Sequence, residues 1–115
     1  MPRWVLDTNQ YLFTFGNPRK LFCSDLLAGI LQRSDIEVAI CRTIVQEAVD
    51  NLDRPAAKAL FAWLSDATEI DEDEIVPFEL GCRYEASGFK PADAFIAAYA
   101  EHAGAEVLVS ENRHF

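Results

Sequence analysis

Three short apolar stretches, each ended by a polar residue and separated from the next by helical periodicity, constrain this chain more than any other feature. Trp4, Val5 and Leu6 stop at Asp7, Ile36 to Cys41 stops at Arg42, and Glu106 to Ser110 reads EVLVS. Runs this short, rich in Val, Ile and Leu and without clean alternation, suit strands buried on both faces of a parallel sheet. Between them Leu26, Leu27, Ile30 and Leu31 share one helical face, and Ala56, Ala59, Leu60, Trp63 and Leu64 keep the same period behind Pro55. Thr43 and Gln46 have the spacing of a capping box, which predicts a helix start directly after the second strand. Glu69 to Ile75 (EIDEDEI) reads as a charged connection with room for a short edge strand, and Phe78 to Ala86 as a further helix. Pro91 opens a last helix, which Gly104 can close from the C′ position. Strands alternating with helices imply an α/β protein in three layers, α/β/α, with a central parallel sheet.

Composition narrows the function classes. A chain of 115 residues fits one domain, and 50% apolar with 25% charged residues is the balance of a globular protein. Ten Lys plus Arg against nineteen Asp plus Glu give a net charge of −9. That argues against holding nucleic acid through a broad basic face, and against docking on an anionic membrane. The longest apolar run, Ala94 to Ala100, is far short of a membrane helix, and Asp7 interrupts any signal-type segment, so a cytoplasmic protein is expected. Cys23, Cys41 and Cys82 lack zinc spacing and read as reduced, buried thiols.

The informative acids are those that interrupt apolar surroundings. Asp7 ends the first strand, at the sheet edge where α/β proteins bind ligands, although an Asp there can also simply cap the next helix. Asp93 lies in the first turn of a helix whose next seven residues are all apolar. A helix apolar all round is buried, so this carboxylate enters an interior edge, although the helix dipole alone also favours Asp there. Glu47 sits on the flank of the helix after the second strand, and Ser110, Glu111 and Asn112 leave the end of the last strand. All four positions return to one edge. Carboxylates gathered there favour a hard divalent cation, Mg²⁺ or Mn²⁺, and such an ion beside a phosphodiester promotes its hydrolysis.

These residues carry a resemblance. VLDTN (Val5 to Asn9), Glu47, KPADAFIAAYA (Lys90 to Ala100) and LVSENRHF (Leu108 to Phe115) together resemble the PIN domain, particularly the VapC-type toxins of bacterial and archaeal toxin–antitoxin pairs. The resemblance covers almost the whole chain. It implies a Rossmann-like PIN fold and a metal-dependent endoribonuclease, with Asp7, Glu47 and Asp93 as the acidic triad around Mg²⁺ or Mn²⁺. Asn9 matches a polar residue that positions a carboxylate or water, and Ser110 matches the family's hydroxyl residue. Asn112 stands where the family usually has a fourth acid; its amide oxygen can ligate but brings no charge, and Glu111 lies beside it. Related chains usually continue past this point, so the C-terminal end reads as shortened. The resemblance further implies an RNA substrate, a homodimer and a small antitoxin protein whose tail enters the site.

Other readings fit less well. A haloacid-dehalogenase-type phosphatase wants a second Asp where Asn9 stands, and a receiver-like domain wants a Lys near a later strand end. No Walker loop or G-x-G-x-x-G is present. A PIN-like module that binds antitoxin or RNA without cleaving it is the alternative of a different class. Arg42, Lys90 and Arg113 lie near the edge and could reach phosphate, although each reads first as a solvated charge.

Overall fold

Val5 and Leu6 are wholly buried, and the strand they end lies in the interior of a four-stranded parallel sheet. The structure is a computed structural model that describes residues 2–17, 19–33 and 35–110. In chain order the elements are β1 (Arg3–Leu6), α1 (Thr8–Phe15), α2 (Leu21–Leu31), β2 (Glu37–Cys41), α3 (Arg42–Asp50), α4 (Arg54–Ala67), β3 (Ile70–Asp71), a 3-10 turn (Asp73–Ile75), α5 (Phe78–Ala86), α6 (Pro91–His102) and β4 (Val107–Val109). The strand order is β3-β2-β1-β4. Register is set by Trp4 beside Val38 and by Trp4 beside Val107.

Helix α1 packs against α2, α3 and α4, whereas α5 packs against α6. Right-handed crossovers produce this division: the steps from β1 to β2 to β3 put their helices on one face, and the return from β3 to β4 puts its helices on the other. The three-layer α/β/α expectation therefore holds. The core gathers Val5, Leu6, Val38, Ile40, Ile44, Leu60, Ile96 and Tyr99 around the sheet, with Tyr11 set edge-on against Trp63 at 5.8 Å.

Several local expectations are corrected. Helix α1 is not announced by periodicity, because Tyr11, Leu12, Phe13 and Phe15 form a nearly continuous apolar run with strand propensity. Asp7 starts it as N-cap, and burial of Thr8, Gln10, Tyr11 and Thr14 holds it. The capping box does not form. Helix α3 begins at Arg42, and Thr43 gives both its N–H (3.0 Å) and its hydroxyl (2.6 Å) to Asp73, thirty residues away. Gln46 turns instead to Asp50. Tertiary structure thus supplies the cap that local sequence was expected to provide. Strands β3 and β4 are edges, so Ile70 and Val107 are exposed and not covered on both faces. On the helices, Leu31 and Ala59 also face outward. Cys82 is exposed, while Cys23 and Cys41 are buried, and burial pushes the Cys41 thiol up to about 12.

The end of α6 follows its sequence signal. Gly104 has φ +72°, its N–H reaches the Glu101 carbonyl at 3.0 Å, and the N–H of Ala105 reaches that of Ala100 at 2.9 Å. These are the two hydrogen bonds of a Schellman motif, and the left-handed backbone is why a glycine stands there.

Candidate metal centre at the sheet edge

Strand β1 is where the topology reverses, with β2 on one side and the returning β4 on the other. In open α/β sheets that reversal leaves a crevice outside the carboxyl ends of the strands. Asp7 stands there. Its backbone N–H extends the ladder to the Val109 carbonyl at 2.9 Å, which fixes the residue to β4 as well as β1. Only 5% of Asp7 is exposed, and each carboxylate oxygen has its own donor: Oδ1 accepts the Thr8 N–H and Oδ2 accepts the Ser110 hydroxyl, both at 2.8 Å. One oxygen therefore caps α1 while the other turns to the end of β4.

Glu47 arrives from α3. It is half-buried on the flank of that helix, and its Oε2 accepts the Thr8 hydroxyl at 3.1 Å. Asp93 arrives from the first turn of α6, also half-buried, at the start of a helix in which Ala94, Ile96, Ala97, Ala98, Tyr99 and Ala100 are all buried. Burial raises the pKa of Asp7; its two hydrogen bonds lower it, and the charge of Asp93 raises it again. Burial likewise raises that of Glu47, the Thr8 hydroxyl opposes this, and the charges of Asp7 and Asp93 add to the rise. The three acids expected to converge thus feel one another's fields across β1, α3 and α6.

The ion pairs among the described residues lie elsewhere: Arg3 with Glu37, Arg33 with Asp35, Arg42 with Glu72 and Arg83 with Glu101. None of them neutralises Asp7, Glu47 or Asp93. The guanidinium of Arg42 is held by both Glu72 oxygens, at 2.8 and 2.6 Å, and Lys90 is exposed just before α6. Ser110, at the end of the last strand, gives its hydroxyl to Asp7. Asn9 is half-buried, and among the described residues it makes no hydrogen bond to the three acids. Thr8 was not anticipated. It links Asp7 to Glu47 through its N–H and its hydroxyl, and the signal that could have found it is a hydroxyl residue directly after a strand-ending acid. Glu111, Asn112 and Arg113 lie outside the described residues.

In kind, the donors suit a hard cation: carboxylate oxygens, desolvated and mutually repelling, with no cationic side chain paired to them among the described residues. Among the described residues no three His, Cys, Asp or Glu side chains stand close enough to hold an ion by themselves. The hollow of about 230 Å³ lined by Val76, Phe78, Cys82, Pro91 and Phe95 is mainly apolar and separate from these acids.

No curated protein matches the sequence. Among solved structures, the crystal structure of VapBC2 from Rickettsia felis bound to a DNA fragment from their promoter matches with a TM-score of 0.67 and 21% identity, over 96% of this chain and 87% of that one. At that identity the likeness is one of fold. The family model of the PIN domain matches residues 4–115, and the chain belongs to the PIN domain family.

Proposed function

We propose that this chain is a metal-dependent endoribonuclease, the toxin of a toxin–antitoxin pair. The observation that carries the proposal is buried Asp7 at the topological switch point, with Glu47 linked to it through Thr8 and Asp93 near enough for its charge to raise the pKa of both, without a cationic partner among the described residues. Asp7 and Asp93 are assigned to the principal Mg²⁺ or Mn²⁺, with Glu47 orienting the ion or the attacking water and Asn112 completing the shell beside Glu111. Mg²⁺ usually keeps several waters and binds through one or two carboxylates plus substrate phosphates, so it does not require a cage built from protein side chains alone. A bound divalent ion supplies positive charge for the scissile phosphate and acidifies water.

The chain's own groups prepare that chemistry. Ser110 and the Thr8 N–H hold the Asp7 carboxylate in one orientation, and the Thr8 hydroxyl occupies Oε2 of Glu47. Oε1 of Glu47 is then the atom that receives a hydrogen bond from water, and Asn9 is a second polar group at this edge. RNA is the proposed substrate. The VapBC2 structure motivates an antitoxin partner, and a basic segment would complement a chain of net charge −9. A homodimer in the cytoplasm completes the proposal; no helix among the described residues is long and apolar enough to cross a membrane.

Structured and single-stranded RNAs incubated with the protein in Mg²⁺, Mn²⁺ or EDTA test the reading. Cleavage with either metal, 5′-phosphate products and silence in EDTA are expected. Absence of cutting on every RNA would favour the second reading, a module that binds antitoxin or RNA without cleaving it, which the uncharged Asn112 supports.

A further inference from the structure

The connection EIDEDEI does more than join two halves of the fold. Three successive acids in it each grip a residue on a helix that bears one of the site carboxylates. Asp71, at the end of β3, accepts the hydroxyl of Tyr99 at 2.6 Å, and Tyr99 is wholly buried on α6, six residues beyond Asp93. Glu72 holds the Arg42 fork at the start of α3. Asp73 takes the N–H and the hydroxyl of Thr43, which stands one turn before Glu47 on the same helical face.

We propose that Asp71 and Asp73 are positioning residues, which set Asp93 and Glu47 against Asp7 by anchoring α6 and α3 to one short segment. They act through Tyr99 and Thr43 and touch neither metal nor RNA. The Arg42–Glu72 pair adds little, because both side chains are more than half exposed and such ion pairs are weak in water. Asp71 and Asp73 are half-buried, and each contact joins a carboxylate to a neutral donor at short range, where hydrogen bonds to charged acceptors are strongest. Helices α3 and α6 make few contacts with each other, so a segment tied to both is a means of keeping their carboxylates in step. The inference rests on the nuclease reading.

The test measures Mn²⁺ binding by calorimetry without RNA, and kcat and KM for RNA cleavage, on the full chain. Asp73→Ala and Tyr99→Phe are each expected to weaken Mn²⁺ binding and lower kcat by about tenfold, the scale on which groups supporting metal ligands act, with KM nearly unchanged. Asp73→Asn keeps an acceptor for the Thr43 N–H and is expected to recover most of the loss. Glu69→Gln removes the same charge from the same connection and is expected to match wild type. Circular dichroism verifies folding, and Thr43→Val replaces Asp73→Ala should that variant not fold. Wild-type metal binding and kcat in both Tyr99→Phe and the Asp73 or Thr43 variant would overturn the positioning role alone. A wild type that neither binds Mn²⁺ nor cuts RNA would overturn the nuclease reading and this inference with it.

Discussion

Asp7 shows what the site costs the protein. A carboxyl whose pKa is higher in the folded chain than in the unfolded one takes up protons on folding. Stability therefore falls as pH rises from the ordinary value of 3.8 toward the raised one, and stays reduced above it; Glu47 acts in the same direction from 4.5. Asp7→Asn removes the buried charge while its amide can still accept from Thr8 and donate to the Ser110 oxygen. The metal-free variant is expected to melt higher than wild type at pH 7, with the difference vanishing toward pH 3; scanning calorimetry at the two pH values checks this, and a lower midpoint at pH 7 would contradict it. At Thr8, Val keeps the branched shape and the N–H but loses the hydroxyl on Glu47. Thr8→Val is expected to cut kcat by about tenfold at unchanged stability, and Thr8→Ser to restore it. Tyr11 carries a wholly buried hydroxyl with no hydrogen-bond partner among the described residues. Tyr11→Phe is expected to raise unfolding free energy by about 1 kcal/mol in urea titration, since it relieves an unsatisfied polar group.

At the scale of elements, legibility tracked how local the determining forces are. The termination of α6 was readable because Gly104 alone can take φ +72° cheaply. Gly104→Ala is expected to destabilise the fold by about 1 kcal/mol, measured by thermal melting, without altering metal binding. The strands β1 and β2 were readable from their apolar runs, and α6 from Pro91 and its seven apolar residues. Helix α1 was not, because its residues favour a strand and only Asp7 and the packing of Tyr11 on Trp63 decide otherwise. The cap of α3 was misplaced for the same reason: Thr43 and Gln46 have the right spacing, yet Asp73 comes from a different part of the chain. That Asp7 ends β1 and that Glu47 and Asp93 lie early in α3 and α6 could be read from where strands end and helices begin, whereas the link that Thr8 makes is visible only once α1 and α3 are packed.

For the molecule as a whole, a net charge of −9 sits uneasily with an RNA substrate. Phosphate is repelled by most of this surface, and Arg42, a cation near the edge, is already paired with Glu72. A divalent ion among Asp7, Glu47 and Asp93 would reverse the field locally, so binding of RNA should be weak and confined to one crevice. The same surface suits a basic protein partner. The PIN domain topology makes this possible by bringing β1, α3 and α6 to one switch point from three distant stretches of sequence. The account therefore turns on whether the acids at that point work with a metal. The most direct measurement is the RNA cleavage rate of wild type and Asp93→Asn across a Mn²⁺ titration, with EDTA as the zero. Metal-dependent cutting by wild type and a rate lower by about a hundredfold in the variant are predicted. Metal-dependent cutting that survives Asp93→Asn undiminished would contradict the assignment of the site.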